Sequence, residues 1–295
     1  MTLHTVFFSG KGTTAACAHC IKNAMGLTNK TYDWLQKPPT ADMDIAAGDA
    51  LLLAMPVYGG YIPNICLPWV EKLQGHGTPA IIAAIYGNRH YGNALLQMKD
   101  LLEARGFRVI AAGAFLAEHS IFHEVAKGRP DEDDRKAMTA FGDASAALLA
   151  GDWQNAAPIQ LPGDPNYQTP ERKPAGMYPT ADRNCINCRA CADQCPGRAI
   201  PRATPQETDP NKCVQCGACI RICPMQARGY HSDGWKERAP MFAQMCAEYR
   251  KPETFFVKCP NSTLCSHLKR LYNSANTVYK YQKAPRNGCL FAVWS

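Results

Sequence analysis

Apolar runs alternate with longer amphipathic stretches over the first half of the chain. The runs predict buried strands at 4–9, 50–55, 80–86 and 108–115, with a weaker strand at 30–34. The amphipathic stretches predict helices at 13–26, 65–74, 91–105 and 132–149. This alternation is typical of an α/β domain built on a parallel sheet, which we assign to residues 1–152.

An acidic run, Asp131 to Asp134, follows Pro130 at the start of the last of these helices. Carboxylates at that position complement the positive end of a helix dipole. We therefore interpret the run as a helix N-terminus rather than a metal site.

The pattern changes at residue 153. Residues 153–182 contain six prolines and little periodicity, which predicts a semi-extended linker. A cysteine-rich domain follows at 183–230, and a C-terminal segment at 231–257 contains a predicted helix at 235–250. Residues 258–295 form a basic tail whose structure the pattern does not define. From Lys251 onward there are seven basic residues and one acidic residue, so nearly all of the net charge of +7 belongs to the tail.

Composition narrows the class of protein. With 46% hydrophobic and 19% charged residues, the 295-residue chain has the composition of a folded protein. The first residues lack the pattern of a signal peptide, and no apolar run approaches the roughly 18–20 residues that span a bilayer. We therefore expect a cytoplasmic protein without a membrane span. In a reducing compartment, the 15 cysteines favour metal binding over disulfides.

Eight of the cysteines form two identical runs. Each run reads C-x2-C-x2-C-x3-C followed by proline, and the second lies 28 residues after the first. The repeat indicates an internal duplication. Zinc is the main alternative, but zinc sites usually pair two C-x2-C units and would leave the third cysteines unused. The spacing therefore favours iron–sulfur clusters.

These runs resemble the two-cluster bacterial ferredoxin. The resemblance implies two 4Fe–4S clusters, each held by three cysteines of one run and the fourth cysteine of the other. The first cluster would be held by Cys185, Cys188, Cys191 and Cys223. The second would be held by Cys213, Cys216, Cys219 and Cys195.

A glycine-rich loop, "FSGKGTT", joins the first predicted strand to the first helix. It lacks the first glycine of a nucleotide-binding P-loop and the third glycine of a dinucleotide fingerprint. A third interpretation is a flavodoxin phosphate loop, in which hydroxyls and amides at the junction of the first strand and helix hold the phosphate of FMN. The segments at 55–63 and 86–107, which follow two other strands, carry aromatic and small residues suited to a flat ring.

The order of these segments, followed by two ferredoxin runs, resembles fused flavodoxin-like and two-cluster ferredoxin proteins. The resemblance implies a doubly wound parallel sheet, a small α+β ferredoxin domain, and FMN. It places Ser9, Gly10, Lys11, Gly12, Thr13 and Thr14 around the phosphate. It places Pro56, Val57, Tyr58 and Gly59 on one side of the ring, and Tyr86, Gly87, Asn88, Arg89 and Tyr91 on the other.

The loop departs from the family pattern S-G-T-G-N-T at Lys11 and Thr13. A lysine can pair with a phosphate as a compact charge, so we expect FMN binding to be retained. The alternative is a flavodoxin-like domain that has lost FMN.

The function predicted from these features is electron transfer between two 4Fe–4S clusters and FMN. No nucleophile or acid–base constellation stands out, so an electron carrier and a flavin-dependent reductase remain equally open. For a reductase, His90, His119 or Tyr58 are candidate proton donors. The partner would be a redox protein or a small-molecule acceptor. A second hypothesis is a binding or sensory protein whose basic tail engages an acidic partner or nucleic acid, although no nucleic-acid motif is present.

Overall fold

The computed structural model describes residues 1–171 and 173–258. Among these residues, a six-stranded sheet forms the core. Its strands are β1 Thr2–Phe7, β2 Thr28–Asp33, β3 Ala50–Pro56, β4 Thr78–Tyr86, β5 Phe107–Leu116 and β6 Glu253–Phe256. Every residue of β3 and β4 is buried, as expected for central strands of a parallel sheet that is covered on both faces. Strands β1 to β5 confirm the predicted α/β domain.

The strand order is β6-β5-β4-β3-β1-β2, with β1 to β5 parallel and β6 antiparallel to β5. The order 2-1-3-4-5 of the parallel strands is that of flavodoxin-like folds. The winding of the chain reverses between β1 and β3. In open α/β sheets, ligands bind beyond the carboxyl ends of the strands at such a reversal.

Four helices accompany these strands: α1 Thr13–Met25, α2 Leu67–Val70, α3 Ala94–Glu103 and α4 Glu132–Leu149. The predicted helix at 65–74 is wrong in length, because Leu73–Gln74 forms a short strand with Met43–Asp44 and Leu73 is fully buried there.

The acidic run caps α4. The Asp131 carboxylate accepts a hydrogen bond from the Asp134 amide at 2.9 Å, and the Asp134 carboxylate accepts one from the Asp131 amide at 3.0 Å. Asp134 is fully buried and pairs with the guanidinium of Arg129. The run is therefore a capping box, in agreement with the helix-start interpretation.

The cysteine-rich domain repeats its backbone geometry as well as its sequence. Its short helices are α5 Ala190–Asp193 and α6 Ala218–Ile222. Left-handed residues recur at equivalent positions of the two runs: Asn187 and Gln215, Arg189 and Gly217, Arg198 and Gln226. A strand pair between Thr180–Ala181 and Arg228–Gly229 closes the domain. The internal duplication is thus reproduced turn by turn.

The segment at 153–182 differs from the extended linker that its prolines predict. Trp153, Ala156 and Ile159 are buried in the core of the α/β domain. Further along, the Gln97 side chain donates a hydrogen bond to the Thr169 hydroxyl at 2.9 Å. The apolar side chains between the prolines thus hold the segment against the domain.

The C-terminal segment also differs from the prediction. The predicted helix at 235–250 is replaced by the shorter α7, Asp233–Met245. Residues Glu253–Phe256 then form β6 at the edge of the main sheet, where Phe255 and Phe256 pair with Ala112 and Ala111 of β5. The segment assigned to a separate C-terminal helix therefore completes the flavodoxin-like domain. Of the predicted basic tail, all residues beyond Lys258 lie outside the described residues. In the part that is described, no helix has the length and apolar character needed to cross a membrane.

Candidate functional site

A cavity of about 160 Å³ lies at the carboxyl ends of β1, β3 and β4, where the strand order reverses. Ten of the fifteen residues predicted to hold FMN line it: Gly10, Lys11, Thr13, Thr14, Pro56, Val57, Tyr58, Gly59, Tyr86 and Gly87. Five do not: Ser9, Gly12, Asn88, Arg89 and Tyr91. The loop after β5 and two residues of the cysteine-rich domain, Gln215 and Cys216, complete the wall.

The loop after β1 presents unused hydrogen-bond donors to this cavity. Ser9 holds the loop in place, since its hydroxyl accepts a hydrogen bond from the Ala15 amide at 3.0 Å. Within the residues described, the amides of Thr13 and Thr14 donate to no protein acceptor, as is usual in the first turn of a helix. The Thr14 side chain is only 2% exposed, yet its hydroxyl also has no protein partner there. These donors are suited to an anion.

Lys11 does not direct its charge toward these donors. Its ammonium pairs with the Glu118 carboxylate and donates hydrogen bonds to His123 Nδ1 at 2.8 Å and the His119 carbonyl at 3.4 Å. Burial opposes ionisation of Glu118, but hydrogen bonds from Lys11 and the Gly128 amide hold its pKa below the usual value. Lys11 thus ties the loop after β1 to the loop after β5.

A different cation lies beside the first loop. Arg221, in α6, places Nη1 and Cδ each 3.6 Å from the position that a Cβ on Gly12 would occupy. Gly12 caps α1, so this guanidinium faces the positive end of a helix. Arg221 forms no ion pair with another described residue. Two positive groups that converge without a counter-charge form a favourable setting for an anion. No sequence pattern pointed to Arg221, because it lies among the cysteines and 209 positions from Gly12.

The loop after β4 is engaged by the C-terminal segment. The Asn88 amide donates to the Cys246 carbonyl at 2.7 Å and to the Glu248 carbonyl at 3.0 Å. Arg89 lies over the ring of Phe242, and the Tyr91 hydroxyl donates to Glu253 at 3.1 Å. The same residues that the resemblance assigns to the ring therefore make contacts within the protein.

The three candidate proton donors occupy different environments. Burial, with the nearby charge of Lys11, lowers the pKa of His119 to about 4, so its ring is neutral at pH 7. His119 Nδ1 accepts hydrogen bonds from the Ile121 and Phe122 amides, both at 3.1 Å, which gives the ring a role in shaping the loop. Burial raises the pKa of Tyr58 well above its usual value. His90 stacks on Tyr91 and does not line the cavity.

The eight cysteines of the two runs surround two further cavities. One is lined by Cys185, Cys188, Cys191 and Cys223, and the other by Cys195, Cys213, Cys216 and Cys219. Each cavity thus combines three cysteines of one run with the fourth cysteine of the other. No three Cys, His, Asp or Glu side chains among the described residues converge tightly enough for a single metal ion. In the first cavity, the lining residues Cys188 and Ile186 are exposed.

The second cysteine cavity adjoins the cavity of the α/β domain. Cys216 and Gln215 line both. Cys216 is 8% exposed and belongs to the hydrophobic core of the α/β domain. Gly10 makes the contact possible, because a Cβ there would lie 2.7 Å from Cys216 Cβ and still closer to the Cys216 carbonyl oxygen. The domains therefore meet where the two candidate sites meet.

The chain is similar to known proteins in two regions. The family model of the 4Fe-4S dicluster domain matches residues 184–227. None of the curated proteins compared with the chain matches it.

Several solved flavodoxins are similar to the N-terminal half. A flavodoxin from Streptococcus pneumoniae is 15% identical, with a TM-score of 0.36, over 48% of this chain and 96% of its own. A flavodoxin from the domain Archaea is 15% identical, with a TM-score of 0.36, over 51% of this chain and 100% of its own. A Fusobacterium nucleatum flavodoxin bound to flavin mononucleotide is 15% identical, with a TM-score of 0.31, over 37% of this chain and 68% of its own.

The strand order and the dicluster match together describe the architecture. The parallel strands have the flavodoxin-like order, and the matched segment contains all eight cysteines of the two runs. The dicluster match supports 4Fe–4S clusters, and domains of these two kinds imply a redox partner. The chain thus joins a flavodoxin-like domain to a two-cluster, ferredoxin-type 4Fe–4S domain.

Proposed function

We propose that this protein is an electron-transfer iron–sulfur flavoprotein that holds two 4Fe–4S clusters and FMN. The observation that carries the proposal is the position of Cys216, which lines both the second cysteine cavity and the cavity at the strand reversal. When bound, each cluster exchanges one electron and FMN exchanges one or two. The chain's role is to hold the sites in contact, with the first cysteine cavity open to a redox partner.

The cysteine side chains fit two clusters. Each cavity offers four thiols, which is the ligand number of a 4Fe–4S cluster. The left-handed residues that recur between the cysteines let the chain curl around one object in each repeat. Cys185, Cys188, Cys191 and Cys223 would hold one cluster, and Cys195, Cys213, Cys216 and Cys219 the other.

The cavity of the α/β domain fits the phosphate end of FMN. The amides of Thr13 and Thr14 and the Thr14 hydroxyl would donate to the phosphate. Arg221 would supply the positive charge for the phosphate, because Lys11 pairs with Glu118 instead. The volume of about 160 Å³ is below the roughly 300–1,000 Å³ of small-molecule pockets. Binding of the ring therefore requires this cavity to widen.

Two of the same observations favour a second candidate function. Lys11 is occupied by an ion pair, and the cavity is small. A protein with these features could carry two clusters on a flavodoxin-like domain that binds no flavin. The two candidates differ in whether the full chain takes up FMN.

Replacing Arg221 by Ala tests the proposed phosphate site. We expect the Kd for FMN to rise about tenfold, the loss of roughly 1.4 kcal/mol from a charge-assisted contact. The measurement is quenching of flavin fluorescence on titration of FMN with the anaerobic, cluster-loaded full chain. Arg202→Ala is the matched control, because Arg202 belongs to the same domain but pairs with Asp193. Equal affinity for FMN in both variants would show that Arg221 does not contribute to the phosphate site. If even the wild-type chain quenched no flavin fluorescence, the second candidate function would be favoured.

A further inference from the structure

Two buried side-chain atoms lack any hydrogen-bond partner among the described residues: Arg228 Nε and the Tyr230 hydroxyl. Both belong to the short segment that follows the second cysteine run. A buried donor left without an acceptor costs roughly 1–3 kcal/mol, so such atoms are rare in folded proteins. That both occur beside the cysteines points to acceptors that belong to the cysteine sites.

Arg228 carries a buried charge that the protein does not balance. Its side chain is 3% exposed and forms no ion pair with another described residue. Its Nη1 donates to the Pro205 carbonyl at 2.7 Å, and its Nη2 donates to the Pro179 carbonyl at 2.6 Å. Neutral carbonyls fix the position of the guanidinium but do not neutralise it. A buried cation of this kind requires an anion nearby.

The anion has a defined place. Arg228 lines the cavity of Cys185, Cys188, Cys191 and Cys223. The guanidinium interacts electrostatically with Cys191 of this cavity, and the Arg228 side chain hydrogen-bonds Cys219 of the other. Cys191 and Cys219 line different cysteine cavities, so the guanidinium lies within electrostatic reach of both.

Tyr230 lies beside the second cavity. It is 7% exposed and stacks on Trp235, with 6.2 Å between ring centroids. Its phenol interacts electrostatically with Cys213, Cys219 and Cys216, so it lies near three cysteines of that cavity. A phenol beside those thiols can donate to a sulfur atom.

We propose that Arg228 Nε and the Tyr230 hydroxyl donate hydrogen bonds to sulfur atoms of the first and second clusters, respectively, and raise their reduction potentials. The inference rests on the proposed function, because it requires bound clusters. A cluster becomes more negative on reduction, so a nearby cation or hydrogen-bond donor stabilises the reduced state more than the oxidised state.

The test is an anaerobic redox titration of the cluster-loaded full chain, followed by electron paramagnetic resonance. In Tyr230→Phe we expect the ratio of reduced to oxidised second cluster at a fixed potential to fall about fivefold. The potential of the first cluster should be unchanged. In Arg228→Gln we expect the ratio of reduced to oxidised first cluster to fall about tenfold, which is about 59 mV for one electron. The second cluster should shift less, since the Arg228 side chain also hydrogen-bonds Cys219. Arg228→Lys keeps the charge and should shift less than Arg228→Gln.

Controls separate the possible failures. Tyr249→Phe and Arg202→Lys are matched replacements at exposed sites and should leave both potentials unchanged. Iron analysis of every variant establishes that the clusters are present, so absent clusters in the wild-type chain would count against the proposed function itself. Clusters at full occupancy with unchanged potentials in Tyr230→Phe and Arg228→Gln would overturn the inference. If the Tyr230→Phe protein were more stable and its potentials unchanged, the hydroxyl would be an unsatisfied buried group without a partner on the cluster.

Discussion

Removing Cys185 and Cys223 together should leave about four irons per chain, whereas removing Cys185 and Cys195 together should leave almost none. The expectation follows from the two cysteine cavities, in which Cys223 joins the first run and Cys195 joins the second. In the first double variant, both substitutions affect one cluster. In the second double variant, each cluster loses one ligand.

The measurement is iron and acid-labile sulfide per chain after anaerobic reconstitution, with Ala at each replaced position. Cys20→Ala is the control, because Cys20 is partly exposed and lies on α1, outside both cavities. It should retain the iron content of the unmodified chain. The opposite ranking of the two double variants would mean that each run binds its own cluster, and the crossed assignment would be wrong.

Gly10→Ala should separate the two domains at their shared site. The added Cβ would lie 2.7 Å from Cys216 Cβ and closer still to its carbonyl oxygen, so backbone must move. We expect the free energy of unfolding to fall by about 1–3 kcal/mol, as in other overpacked sites. The affinity for FMN should fall with it, because the same loop presents Thr13 and Thr14.

Chemical denaturation, monitored by circular dichroism, measures this loss. Gly48→Ala is the matched control, since a Cβ there meets nothing within 4 Å and the backbone is not left-handed. If both variants were equally stable, the loop of Cys216 would not rest on Gly10 in solution, and direct contact between the sites would be refuted.

Local patterns predicted much of this molecule. The apolar runs at β1, β3, β4 and β5 predicted these strands correctly, because each run is apolar enough to be covered on both faces of the sheet. The cysteine spacing likewise predicted the repeat, since a duplicated sequence folds into a duplicated backbone. In both cases the information lies within a few neighbouring residues.

Contacts between distant residues could not be predicted in this way. Lys11 looked available for a phosphate, but its partner Glu118 lies 107 positions away. Glu253–Phe256 is too short to identify as a strand until the exposed edge of β5 is known. Arg228 looked like an ordinary basic residue, and only its burial without a counter-charge distinguishes it. The candidate sites in this chain are built from such long-range pairings.

The cofactor content of the full chain tests directly whether the protein holds two clusters and FMN. The protein would be purified anaerobically, reconstituted with iron and sulfide, incubated with FMN and separated from free flavin. We predict about eight irons and about one FMN per chain. Eight irons with no retained FMN would contradict the proposed function, and the flavodoxin-like domain would then be a scaffold for the two clusters alone.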